Sequence, residues 1–214
     1  GNATAGNAQV WRFDGSSWEI VGGQGVNSSW AVNTYENVMS MTSMGGNLYA
    51  GLGTGAGDGE VWRFNGTSWT QIGGDSLNSG WTTNYDERVS SMAVYGGVLY
   101  AGIGNTTTDA EVWRFNGTNA WTKVGGDGAG SSWNTNYEQV ESLVAYNGKL
   151  YAGLGNSTGD GEVWEYNGTV WTQIGGDSLN NSWLDGQYEQ VKSLGVYNGR
   201  LYAGLGNSTG DGEV

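Results

Sequence analysis

Four tryptophans stand in long polar segments of the chain, and each is followed four or five residues later by a tyrosine. The tryptophans are Trp30, Trp81, Trp133 and Trp183, and the tyrosines are Tyr35, Tyr85, Tyr137 and Tyr188. Indole and phenol rings stack on the apolar faces of sugars, whose hydroxyl groups bond to nearby Asn, Asp and Glu. These residues are therefore candidate ligand-binding residues. The alternative is a packing role at the seams between structural units, because large apolar rings are more often buried than exposed.

A second set of candidate residues is acidic and lies in short segments of small residues. Asp58, Asp160 and Asp211 each stand in Gly-Asp-Gly-Glu, and Asp109 stands in Asp-Ala-Glu. Calcium accepts about six to eight oxygen ligands, so carboxylates from neighbouring loops could together hold this ion. A solvated turn is the alternative for such a segment. Calcium is the one metal that the sequence suggests, and no other cofactor is expected.

The composition excludes several chemistries. The 214 residues include no His and no Cys, and 21 acidic against 8 basic residues give a formal net charge of -13. Without imidazole or thiol groups the chain lacks the usual general base, thiol nucleophile and zinc ligands, so we predict that it is not an enzyme. The acidic balance also disfavours nucleic acid, whose phosphates need clustered Lys and Arg. Membrane insertion is not expected, because no apolar run approaches the roughly 18 residues of a membrane span.

An extracellular or cell-surface location is favoured by the abundance of Gly, Asn, Ser and Thr and the scarcity of Lys. The chain also contains Asn-x-Ser/Thr sequons, which mark acceptors for N-glycosylation in secreted proteins. The glycosylation candidates are Asn2, Asn27, Asn105, Asn156, Asn180 and Asn207. Three further sequons coincide with predicted turns.

The chemistry-bearing residues recur because the whole sequence repeats. Val-Trp-Arg-Phe occurs at 10–13, 61–64 and 112–115, and Val-Trp-Glu-Tyr follows at 163–166, each copy 51 residues after the last. A repeat of this length holds one supersecondary unit, which buries its apolar face by stacking on its neighbours. We therefore predict a single domain over residues 1–214, with repeats at 10–60, 61–111, 112–162 and 163–213.

Each repeat has the pattern of four short antiparallel strands. In the fourth copy, Asn198-Gly199 separates two apolar runs, and this pair is typical of a type I′ hairpin turn. In the second copy, Asn65-Gly66 separates another pair of runs rich in β-branched and aromatic residues. Four antiparallel strands make one blade of a β-propeller, so we predict an all-β propeller of four blades.

The repeat also resembles a known family. The run from Tyr146 to Gly155 (YNGKLYAGLG), followed by Val163-Trp164 and then Trp171, is similar to the kelch repeat. The resemblance extends over all four copies. It implies a β-propeller fold and a binding scaffold in place of a catalytic centre.

The two ends of the repeat series are complementary. Residues 10–23 supply a third and fourth strand without a first and second, and residues 191–205 supply the reverse. Paired within one chain, these N- and C-terminal hairpins would share the closing blade of a four-bladed ring. Paired between chains, they would form an eight-bladed two-chain ring or an open fibre. The third possibility is that the chain is a segment of a longer array. Small side chains on the first strands, at Ser40, Ser91, Ser142 and Ser193, favour the four-bladed ring, because they would relieve crowding at its axis.

The function that the sequence favours is a non-catalytic extracellular binding or adhesion module. We expect it to be lectin-like, with repeated sites on the face that carries the long loops and a glycan or a surface protein as partner. One alternative is a structural subunit of a surface ring or fibre, a homo-oligomer assembled through the terminal hairpins. The remaining alternative function is that of a glycosidase that uses a pair of carboxylates.

Overall fold

The computed structural model describes residues 8–30, 37–53, 59–74, 76–81, 88–104, 110–134, 137, 139–155, 161–183 and 190–206. Sixteen strands run through these ranges, and every pairing between them is antiparallel. The all-β prediction is thus confirmed.

The described strands form a two-stranded hairpin, two four-stranded sheets and a six-stranded sheet, in which a four-stranded meander is followed by a last hairpin. The first hairpin contains β1 (Val10–Phe13) and β2 (Trp18–Gly22). The sheets contain β3 (Val38–Met44), β4 (Asn47–Leu52), β5 (Val61–Phe64) and β6 (Trp69–Gly73), then β7 (Val89–Tyr95), β8 (Val98–Ile103), β9 (Glu111–Phe115) and β10 (Trp121–Gly125), then β11 (Gln139–Tyr146), β12 (Lys149–Gly155), β13 (Val163–Tyr166) and β14 (Trp171–Gly175). The last hairpin contains β15 (Gln190–Tyr197) and β16 (Arg200–Gly206).

Each four-stranded sheet is a meander in which consecutive strands pair, as the repeat pattern predicts. The turn between its first two strands has two residues with positive φ, for example Asn147 at 47° and Gly148 at 74°. That backbone matches the right-handed twist of the strands it joins. The turn between the third and fourth strands is held by an Asn side chain: Asn65 Oδ1 accepts hydrogen bonds from the backbone N–H groups of Thr67 and Ser68, both at 2.9 Å.

In the described parts of the long loops after the fourth strands lie four short 3₁₀ turns, where the sequence shows no helical periodicity. They span Val26–Ser28, Leu77–Ser79, Ala129–Ser131 and Leu179–Asn181. A single turn is too short to produce a periodic apolar pattern, so the sequence does not predict these turns.

The first strands of consecutive sheets lie beside one another, and a serine on each strand bonds across to the next. Ser40 Oγ donates to the carbonyl of Val89 at 2.9 Å, and Ser91 Oγ donates to the carbonyl of Val140 at 3.0 Å. Small side chains were expected here for reasons of space. The structure adds a second reason, since each hydroxyl also joins one repeat to its neighbour.

The apolar core lies in the seams between repeats, because each cluster of buried side chains draws on two consecutive units. A tryptophan on the fourth strand is central to each seam. Trp69, Trp121 and Trp171 donate their indole N–H to the carbonyls of Val21, Ile72 and Val124 in the preceding repeat, at 2.7, 2.7 and 2.8 Å. Each ring also stands edge-on to the long-loop tryptophan of the preceding repeat.

The two terminal hairpins do not pair with each other among the described strands. β1 pairs with β2, whereas β15 and β16 adjoin the last complete sheet through one bridge between Gly155 and Gln190. Large apolar side chains of both hairpins are consequently exposed, among them Trp18 and Tyr197. The closing blade shared by the two hairpins, and with it the closed four-bladed ring, stays a prediction.

Replacing Trp121 by Ala should lower the free energy of unfolding by about 3–5 kcal/mol, because the ring is buried and fills a seam. Trp121→Phe keeps an aromatic ring but leaves the Ile72 carbonyl without its donor, so its loss should be smaller, on the order of 1–3 kcal/mol. Chemical denaturation of the three proteins tests this order. A Trp121→Phe variant as stable as the unchanged protein would show that the hydrogen bond contributes nothing to the seam, and equal losses for the two variants would show that the ring itself contributes nothing.

Candidate functional site

The long-loop tryptophans are interior side chains. Trp30, Trp81 and Trp133 are buried and Trp183 is partly buried. The indole N–H of Trp133 donates to the carbonyl of Ala110 at 2.7 Å, and the other three make the same bond to Ala8, Gly59 and Gly161 at 2.8, 2.5 and 2.6 Å. These contacts correspond to the packing alternative for the rings, and their use as binding residues stays a prediction.

The 3₁₀ turn aims each of these rings inward. In the third copy, Ser132 Oγ accepts a hydrogen bond from the backbone N–H of Gly126 at 2.8 Å, and Gly128 N–H donates to the carbonyl of Trp133 at 2.9 Å. Ser29 and Ser182 repeat the first of these bonds. The loop is therefore folded back on the end of its own sheet, and the tryptophan covers the seam below it.

The tyrosines of the candidate set are described in one copy. Tyr137 is buried, and its carbonyl accepts a hydrogen bond from the backbone N–H of Ala110 at 3.2 Å. Tyr35, Tyr85 and Tyr188 lie outside the described residues.

A pocket of about 280 Å³ opens beside Trp133 and Tyr137. Its lining is completed by Ser132 and Asn134 of the same loop, by Glu162 directly before β13 and Trp164 within it, and by Gln173 of β14. The pocket thus lies at a seam, with one wall from the third repeat and the other from the fourth. It combines two indoles and a phenol with a carboxylate, two carboxamides and a hydroxyl.

Two polar groups of this pocket differ in how they are held. Glu162 is buried, and its carboxylate accepts the indole N–H of Trp164 at 2.6 Å. Gln173 Nε2 is buried but has no hydrogen-bond partner among the described residues. A buried amide without a partner costs free energy, and a ligand oxygen placed there would remove that cost.

The position of Gln173 is occupied or hydrogen-bonded differently in the other seams. In the second seam Lys123 stands where the third has Gln173, and its ammonium donates to Glu111 and Asp127, both at 2.9 Å. Burial raises the pKa of Glu111, and the hydrogen bonds from Lys123 and Trp113 partly offset this rise. In the first seam Gln71 Nε2 donates to the carbonyl of Gly73 at 3.4 Å.

Trp133 and Tyr137 of this pocket were predicted from the sequence, whereas Glu162 and Trp164 were not, although a signal for them exists. A Glu two residues before the third-strand Trp occurs as Glu60-Trp62, Glu111-Trp113 and Glu162-Trp164. Residues two apart on a strand point to the same side. The side chains of each pair are indeed joined, by an indole-to-carboxylate bond of 2.6 Å in all three copies.

The acidic residues proposed for calcium, Asp58, Asp109, Asp160 and Asp211, lie outside the described residues. Among the described residues no group of three or more Asp and Glu side chains is close enough to hold a metal ion.

Two of the glycosylation candidates are described, and both are exposed residues whose side chains serve the fold. Asn27 Nδ2 donates to the carbonyl of Val21 at 3.2 Å, and Asn180 Nδ2 donates to the carbonyl of Ile174 at 3.0 Å. A glycan on either nitrogen would replace one of its two hydrogens, so the bond would depend on the hydrogen that remains. Asn2, Asn105, Asn156 and Asn207 lie outside the described residues.

A second polar cluster lies on the third complete sheet. The Tyr151 hydroxyl donates to Glu165 Oε2 at 2.9 Å, and Lys149 forms an ion pair with the same carboxylate. Glu165 stands where the other repeats have Arg12, Arg63 and Arg114. Burial, together with the hydrogen bond to Glu165, raises the pKa of Tyr151 from 10.0 to about 12.

The protein and the variant Tyr151→Phe should therefore differ in their response to high pH. A phenol whose pKa is higher in the folded than in the unfolded state stabilises the fold below pH 10.0, and this contribution is lost as the pH rises towards about 12. Tyr151→Phe should lose less stability over that interval. Denaturation curves at successive pH values test this, and parallel losses for the two proteins would contradict it.

The chain matches no protein-family model and no curated protein sequence. The kelch resemblance consequently stays a prediction, which rests on the residues of the repeat. No helix of the described residues has the length and apolar character needed to span a bilayer.

Proposed function

We propose that the protein is a non-catalytic binding module, extracellular or at the cell surface, that binds a carbohydrate in the pocket between the third and fourth repeats. The observation that carries this proposal is the combination of aromatic walls with an amide nitrogen that has no partner among the described residues, Gln173 Nε2.

The chemistry of the lining suits a sugar. Each ring of a sugar has apolar C–H faces, which pack against indole and phenol, and a rim of hydroxyl groups that both donate and accept hydrogen bonds. Trp164 and Tyr137 supply aromatic surface, Gln173 and Asn134 supply amide donors, and Glu162 supplies an acceptor. The volume of about 280 Å³ lies near the lower limit for small-molecule sites, which suits one or two sugar units better than a long chain.

Binding is better supported here than hydrolysis. A glycosidase needs two carboxyl groups placed on either side of the scissile bond, one of them as acid. Glu162 is the one carboxylate in the described lining of this pocket, and it already accepts the indole N–H of Trp164. This arrangement favours the non-catalytic proposal.

A propeller-like arrangement of the sheets is part of the same proposal, with its closing contacts made either within one chain or between chains. The adjacent first strands β3, β7, β11 and β15 support an arrangement of sheets around a common axis. In that arrangement the loops after the second and fourth strands share one face, and the pocket opens on it. The sites of successive seams would differ in specificity, because Gln71, Lys123 and Gln173 occupy one position of the repeat.

A glycan array followed by titration calorimetry with the strongest-binding oligosaccharide tests the proposal. Gln173→Leu should weaken binding about tenfold or more, since a ligand hydroxyl loses its donor in a buried position. The matched control is Gln71→Leu, at the same position of an earlier seam, and its affinity should stay within about twofold of the unchanged protein. Absence of binding to any glycan, or equal losses for the two variants, would overturn the proposal.

A further inference from the structure

An apolar groove of about 160 Å³ lies on the exposed side of the last complete sheet. Its walls are formed by Val163, Ile174 and Trp183 on one side and by Leu201 and Ala203 of β16 on the other, with Gly175 at its base. The groove is separate from the proposed carbohydrate pocket, with which it shares no lining residue.

The equivalent place in each earlier seam is filled by a fourth-strand tryptophan of the following repeat. A Cβ atom built on Gly22, Gly73 or Gly125 would lie 3.0, 2.8 or 2.9 Å from the indole nitrogen of that tryptophan. At Gly175 the nearest atoms to such a Cβ belong to Trp183, at 3.2 Å, and to Val163, at 3.6 Å. The groove therefore has the shape of an indole site, and no indole of a following repeat lies at Gly175 among the described residues.

The residue with the matching chemistry is Trp18. It occupies on β2 the position that Trp69, Trp121 and Trp171 occupy on later fourth strands, yet its side chain is 64% exposed. Its ring lies 5.1 Å from that of Phe13, close to the 4.9 Å between Phe64 and Trp69. The first hairpin thus already has the side-chain arrangement that buries an indole in the other seams.

We propose that the groove binds the first hairpin of a second copy of this chain, with Trp18 as the inserted side chain. Within one chain Trp18 is exposed, and β1 pairs only with β2 among the described strands. The groove beside β16 and the Trp18 side chain on β2 are therefore both open to solvent, at opposite ends of the repeat series. A second copy brings them together and leaves every internal seam as it is.

The repeat fixes the geometry of this interface. β4 pairs with β5 in a register that sets Leu48 opposite Phe64 and Ala50 opposite Trp62. The same register between copies sets Leu201 opposite Phe13 and Ala203 opposite Trp11. It buries two exposed aromatic side chains of β1, each 50% exposed in the single chain, against β16.

Two polar bonds of the internal seams recur in this interface. The Trp18 indole N–H would donate to the carbonyl of Ile174, as Trp121 donates to that of Ile72. The hydroxyl of Ser193 would donate to the carbonyl of Val38, as Ser40 donates to that of Val89. The indole, the hydroxyl and the two carbonyls would therefore be hydrogen-bonded when the interface buries them, which avoids the cost of burying unpaired polar groups.

Such an interface is head-to-tail, because the surface used on one copy differs from the surface used on the other. Contacts of this kind produce a closed ring if the rotation between copies allows it, and a fibre if it does not. An aromatic side chain inserted into a pocket at the centre of an interface is also the type of contact that contributes most to binding.

The test compares the protein with two variants by analytical ultracentrifugation over a wide concentration range. The unchanged chain should associate as its concentration rises. Trp18→Ala removes the inserted side chain, and Ala203→Glu places a carboxylate in the groove, so each should raise the concentration needed for half-association at least about tenfold. Val170→Ala, which truncates an exposed apolar side chain elsewhere, should leave association unchanged.

Mixing the two variants separates an interface defect from misfolding. Trp18→Ala keeps an intact groove and Ala203→Glu keeps an intact first hairpin, so an equimolar mixture should form a dimer of one copy of each. Restored dimer in the mixture supports the proposal. A chain that stays monomeric at every concentration, as closure of both hairpins within one chain would make it, overturns the proposal, and so does a mixture that stays monomeric.

Discussion

The bond from the fourth-strand indole to the carbonyl of the preceding repeat is the contact on which the array depends. Trp69, Trp121 and Trp171 each bring a donor to a carbonyl in the interior, where water could not replace it. A glycine follows that carbonyl in every copy, and its lack of a Cβ allows the ring to approach the backbone. One side chain therefore fills the seam, satisfies a buried polar group and sets the distance between sheets.

Because the core is divided among seams, no sheet has an interior of its own. The long-loop tryptophan covers each seam from above, and the first-strand serine joins neighbouring sheets along their inner strands. The three contacts involve different strands and act between the same two repeats. This division explains why the exposed apolar surface of the chain is concentrated in the first and last hairpins, where one side of a seam faces solvent.

Much of this fold could be predicted from the sequence, because the repeat shows the same local patterns four times. The Asn-Gly turns and the alternating strands follow from short-range preferences, and both are present in the structure. The partners of Trp133 could not be predicted, since its bond to Ala110 joins residues 23 positions apart through a loop of irregular backbone. The pocket could not be predicted either, because Asn134 and Gln173 come from different repeats and line one pocket only through the packing of two sheets.

The seam also explains how a repeat protein can vary its chemistry without losing its fold. The position held by Gln71, Lys123 and Gln173 lies on the fourth strand, two residues after the tryptophan that anchors the seam. Its polar end lies beside the carboxylate at the start of the preceding third strand: the Lys123 ammonium pairs with Glu111, and Gln173 lines the same pocket as Glu162. The anchor contacts are made by other side chains and by the backbone. A substitution at this position therefore changes which ligand groups a pocket can bind while the sheet beneath it keeps its place.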